Sequence, residues 1–109
     1  MKIVNLQEFL QYPTNTVYQK YKDGFGRIHI KGESLPTDYV TIDINNALTC
    51  NSSGEYMDLI FTAPSIPNIT MDFSSGGRDG LFEQAQLYAV WGSEDVQGLI
   101  LALQQCIED

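Results

Sequence analysis

The chain has 109 residues, 43% of them apolar and 11% aromatic, with a formal net charge of −8 at pH 7. That length and apolar content suit one folded domain with a modest core and exclude intrinsic disorder. The longest C-terminal apolar run, Leu99 to Leu103, is far short of the ~20 residues that cross a bilayer, and nothing has the form of a secretory leader, so the expectation is a cytoplasmic protein with Cys50 and Cys106 as reduced thiols.

The first predicted element is a short helix. Asn5-Leu6-Gln7-Glu8 has the form of a capping box, Val4 and Phe9 stand at the two positions of a hydrophobic staple, and Pro13 stops the helix after Tyr12. Strands follow. Arg27 to Lys31 alternates, with Ile28 and Ile30 facing inward and Arg27, His29 and Lys31 outward. Val40, Ile42 and Ile44 repeat the pattern against Tyr39, Thr41 and Asp43, and Ile69, Met71 and Phe73 predict a third strand. Tyr56 to Phe61 fits a buried strand or a short helix equally well. Gln86 to Trp91 predicts a further strand. Ser93 then caps a C-terminal helix whose Val96, Leu99, Ile100, Leu103 and Ile107 follow helical spacing. Lys22-Asp23-Gly24, Ser52-Ser53-Gly54, Pro64 to Pro67 and Ser74 to Gly80 mark loops. With no repeat and no linker, residues 1–109 form a single α+β domain: a small, mostly antiparallel sheet packed with an N-terminal and a C-terminal helix.

Charge is divided unevenly along this order. Residues 1–31 carry Lys2, Lys20, Lys22, Arg27 and Lys31 against Glu8 and Asp23, whereas residues 32–109 set Arg78 alone against twelve carboxylates. Such an acidic excess disfavours direct DNA binding and leaves few cations to grip an anion.

Four groups of residues can carry chemistry. Arg27, His29 and Lys31 share one strand face at about 6–7 Å spacing, matching a phosphate-bearing ligand, although an ordinary solvated strand face reads the same way. Ser74 to Gly80, with Arg78 and Asp79, offers backbone amides and a guanidinium to an anion, or else a tight connection between strands; its glycines lack P-loop spacing. Tyr18 and Tyr21 flank Lys20, a surface on which a base can stack, unless these rings belong to the core. Asp38, Asp43, Glu55, Asp58, Asp72, Asp79 and Glu83 either imitate a nucleic-acid backbone or simply keep the chain soluble. A lone histidine and two distant cysteines build no ordinary metal site. There is no nucleophile elbow and no cysteine in an activating context, so the expectation is a binding protein without enzymatic activity, cofactor or metal.

The segments FGRIHIKGESL, GGRDGLFEQAQLYAVW and SEDVQGLI, with the start MKIVNLQEFLQYPTNTVYQKY, resemble a group of small uncharacterised proteins encoded by bacteriophages and prophages. Lys31-Gly32-Glu33 and Gly77-Arg78-Asp79-Gly80 belong to the shared pattern, while Ser74 and Ser75 stand where the group is more acidic. The resemblance implies an accessory role against bacterial defence, acting in the host cytoplasm. Two modes fit. In one, the protein sequesters a small anionic nucleotide signal, with Arg27, Lys31 and Arg78 on phosphate and Tyr18 or Tyr21 on the base, in a pocket that two copies of a homo-oligomer can share. In the other, an acidic inhibitor binds a host defence or nucleic-acid-binding protein directly.

Overall fold

A computed structural model describes residues 1–46, 48, 53–74, 76–78 and 85–108. The elements are β1 (Lys2–Asn5), α1 (Leu6–Phe9), β2 (Val17–Tyr21), β3 (Phe25–Ser34), β4 (Tyr39–Asp43), α2 (Ser53–Thr62), β5 (Gly77–Arg78), β6 (Leu87–Val90) and α3 (Ser93–Gln104), with 3-10 turns at Ile44–Asn46 and Ala63–Ser65. The six strands form one sheet in the order β1-β6-β2-β3-β4-β5. Every pairing is antiparallel. The architecture is α+β, a small antiparallel sheet with a helix near each end of the chain.

The start follows the expected local rules. The Glu8 amide donates to Asn5 Oδ1 at 2.8 Å, which caps α1. Val4 and Phe9 then close as a staple, both inside the core. Three strands emerge beyond the expected set, β1, β2 and the two-residue β5, which lies within the expected Ser74–Gly80 loop. β1 lies against β6 through Lys2↔Val90 and Val4↔Tyr88. β2 joins β6 to β3, and its hairpin with β3 turns through Asp23 (φ 57°) and Gly24 (φ 147°). Conversely, the strand expected at 69–73 does not form. Met71 makes only an isolated bridge with Leu48. The ambiguous Tyr56–Phe61 segment is helical, inside α2.

The main correction concerns which face of the sheet is covered. Register places Val4, Tyr88, Val90, Tyr18, His29, Lys31 and Thr41 on one face. α1 lies on this face. Phe9 is at its centre, with ring centroids 4.2 Å from Tyr88, 4.6 Å from Tyr18 and 5.0 Å from Tyr39. The other face carries Ile28, Ile30, Val40 and Ile42, all only half-buried. The alternation was legible, but its sense is reversed: Tyr39, Thr41 and Lys31 point inward. The reason is physical. A tyrosine buries about 150–250 Å², more than an isoleucine, provided its hydroxyl finds a partner. Here Tyr18 Oη donates to Thr41 Oγ1 at 2.6 Å and Tyr39 Oη to Tyr88 Oη at 3.2 Å.

At the end of β3 the pairing slips by one residue between Lys31↔Thr41 and Ser34↔Tyr39, a β-bulge. Gly32 permits it, because a Cβ there would lie 2.9 Å from Val40 Cβ. Gly76 serves a similar close approach, with Thr41 O only 2.5 Å from where its Cβ would be.

α3 starts one residue earlier than the Ser93 cap implied. Gly92 is the N-cap and its amide donates to Asp95 Oδ2 at 2.9 Å. None of its residues is buried. Ile100, Leu103 and the following Ile107 are 49%, 56% and 78% exposed, whereas Val96 and Leu99 are half-buried, so most of the helix's apolar side is left in solvent. The Cα radius of gyration is 15.5 Å, against about 13 Å for a compact chain near this length. No helix among the described residues is long and apolar enough to cross a membrane.

Candidate functional site

The covered face is aromatic and polar together, and Lys31 is its most unusual member. The inward turn of β3 at the bulge buries it to 1% exposure. Its Nζ donates to Ser34 Oγ at 2.5 Å and Gly32 O at 3.1 Å, and lies 5.7 Å from the Phe9 ring centroid. Ser34 Oγ passes the bond on to Leu10 O at 2.8 Å. Burial lowers the Lys31 pKa below its ordinary value, since an ammonium is disfavoured away from water. Lys31 therefore ties β3 to the end of α1. It does not face solvent, and it is not presented to a phosphate.

Tyr18, expected to stack a base, is fully buried against Phe9 and stacked on His29 at 5.3 Å. His29 Nδ1 lies 3.2 Å from Thr41 Oγ1, which already accepts from Tyr18. That hydroxyl is placed to donate onward, and the histidine is held within the network. Lys20 shares this face, half-buried and in register with Tyr88. Tyr21 is on the opposite face, in register with Leu87 and edge-on to Phe25 at 5.1 Å. Tyr18 and Tyr21 thus do not flank one platform.

Arg27 is exposed and makes a 3.4 Å ion pair with Asp43. It is four residues from Lys31 along β3, roughly 13 Å. The backbone of Arg78 is registered with Val40, while its side chain and the whole of Asp79 lie outside the described residues. Arg27 and Lys31 are consequently not brought to one pocket.

The acidic group is also uneven. Asp38 is buried to 2%, and its Oδ1 accepts from the Tyr39 amide at 2.7 Å. Asp72 turns back on Ser74. Glu55 and Asp58 are exposed on α2. Glu83 and Cys50 lie outside the described residues, and Cys106 is a free, exposed thiol. Among the described residues no His, Cys, Asp and Glu side chains gather into a group that could hold a metal ion.

Sequence reasoning missed the surface of α2. Met57, Ile60 and Phe61 follow i, i+3, i+4 spacing and are 49%, 47% and 79% exposed, an apolar stripe beside Asp58 and Glu55. The spacing was present, but over six residues it did not separate helix from strand. On another side of α2, Leu59 with Ile66, Asn68, Ile69 and Thr70 lines an open depression of about 190 Å³. That is smaller than the ~300–1,000 Å³ of ordinary ligand sites, and no cation lines it.

No protein-family model, curated protein or solved structure matches this chain.

Proposed function

We propose that the protein is a non-enzymatic phage accessory protein that acts in the host cytoplasm by binding a host defence or nucleic-acid-binding protein directly. The observation that carries this reading is the α2 stripe: three large apolar side chains held in solvent beside two carboxylates, in a chain of net charge −8. Exposed apolar residues with polar neighbours are the usual form of a protein-binding surface, and the acidic surround speeds encounter with a basic partner. The phage-like segments FGRIHIKGESL and GGRDGLFEQAQLYAVW support the setting. The nucleotide-sequestering reading ranks second, because Tyr18 and Lys31 are committed to the core.

The test is affinity capture from host cells with the wild type and Phe61→Ser, followed by association kinetics with the recovered partner across salt concentrations. A partner lost with Phe61→Ser, and associating more slowly as salt rises, supports direct inhibition. Tight binding of a cyclic or linear nucleotide, with no host protein recovered, overturns it in favour of sequestration.

A further inference from the structure

Two apolar surfaces lack a partner among the described residues, and they complement each other. One is the face of Ile28, Ile30, Val40 and Ile42, bordered by Ile3 at 42% exposure and Leu87 at 39%. Gln19, on this face, is already satisfied: Oε1 accepts from Trp91 Nε1 at 3.0 Å and Nε2 donates to Gly26 O at 2.8 Å. The other surface is α3. From Val96 through Ile107 the chain has no charged residue, whereas a helix meant for solvent ordinarily has a charged face. We propose that α3 of one copy docks across the isoleucine face of a second copy, and the second copy's α3 across the first, giving a two-fold symmetric dimer.

The dimensions agree. Twelve helical residues measure about 18 Å, and the four gaps from β1 to β4 measure about 19 Å. The course of α3 leaves most of its apolar side in solvent. Only Trp91 and Gly92 separate it from β6, and Asp95 Oδ2 is bound by both the Gly92 amide at 2.9 Å and the Met1 amino group at 2.8 Å, which fixes the first turn. On that course no α3 residue is buried. The area also suffices. At about 60–100 Å² per side chain newly buried, five helical residues bring roughly 400 Å². The sheet brings a similar amount, and symmetry doubles the sum to about 1,600 Å², the size of a stable interface. Each copy carries −8, so salt, by screening the repulsion, tightens this association. That is the opposite of the behaviour expected for a basic host partner.

Sedimentation equilibrium of the purified full chain tests this, at several concentrations and two salt levels. The expected mass is twice 12.2 kDa, with dimerisation stronger at high salt. Leu103→Glu, at a position 56% exposed, leaves the melt of the sheet in place and weakens dimerisation about 100-fold or more, since it acts twice in a symmetric pair. A wild type that stays monomeric at every concentration overturns the proposal. So does a dimer that survives Leu103→Glu. A monomer in which α3 amides resist hydrogen exchange overturns it as well, because that result means α3 closes on its own sheet. None of these results depends on a host protein, so this proposal and the inhibitor reading fail separately.

Discussion

Lys31 separates the two pictures of the β3 face most sharply, because a solvent-facing anion contact and a buried tie respond oppositely to substitution. Lys31→Ala removes about three methylenes from beside Phe9 at ~0.8 kcal/mol each, and the space left behind adds a cavity cost. The fold should lose about 2–4 kcal/mol, or about 10–25 °C in a domain of this size. Lys31→Met keeps most of the stem. It loses the bonds to Gly32 O and Ser34 Oγ, each about 1.5–3 kcal/mol as bonds to a charged group, and also relieves the burial of a charge. The net change should stay within about 1.5 kcal/mol, because these two effects oppose each other. The pH dependence has a definite sign. Burial lowers the folded pKa below the ordinary 10.5, so between the two values the unfolded chain binds more protons, and stability from this group rises with pH across that window. Thermal melts by circular dichroism, taken as wild type minus Lys31→Met so that tyrosine ionisation cancels, read this directly. An Ala variant that melts with the wild type, or a difference that is flat with pH, would refute the buried tie and return Lys31 to the surface.

Three further outcomes are expected. Gly32→Ala should cost about 1–3 kcal/mol, read as a lowered melting temperature, because its Cβ would meet Val40 Cβ at 2.9 Å and that atom cannot rotate away. Arg27→Ala should change stability by less than about 0.5 kcal/mol in a denaturant titration, since its ion pair with Asp43 is exposed. The Asp95 carboxyl is held below its ordinary value by the bond from the Met1 amino group and then by the Gly92 amide; that support is present above the unfolded pKa and lost as pH falls through the folded one. Amide protection in the first turn of α3, taken relative to the intrinsic exchange rate at each pH, should therefore fall on acidification in the wild type, and be low and independent of pH in Asp95→Asn.

Local signals were legible in proportion to how local their causes are. The Asn5 cap and the Val4–Phe9 staple lie within six consecutive residues and formed as read. The alternation of β3 and β4 was equally clear, but its sidedness was not, because both of its faces can be buried at a gain. One is aliphatic, and the other is tyrosine, threonine and a lysine whose polar tips find partners. Which of them α1 covers is a tertiary choice. Reading Lys31 as a ligand group followed from that reversal, whereas Tyr18 was read from its place beside Lys20 and proves to belong to the core. β1 was missed because Lys2–Asn5 gains its strand character from β6, more than eighty residues away in the chain; β2 pairs both with its hairpin neighbour β3 and with β6. The 69–73 segment shows the converse: a period-2 pattern with no neighbouring strand to pair beyond the Leu48 bridge.

The position of β6 has a consequence for how the chain reaches this state. It is the last strand in sequence yet sits between β1 and β2, so the sheet has no continuous hydrogen-bonded middle until residues 87–90 are available. Closing so large a loop is slow compared with forming the β2–β3 hairpin. During synthesis, the β2–β4 meander can assemble early, while β1 and the staple of α1 wait for their partner. Phe9 has Tyr88 as its stacked neighbour at 4.2 Å, and its ring cannot be fully covered before that point. The aromatic core is thus completed in one late step, and a ribosome stalled short of Val90 would hold a chain with its tyrosines still open to chaperones and proteases.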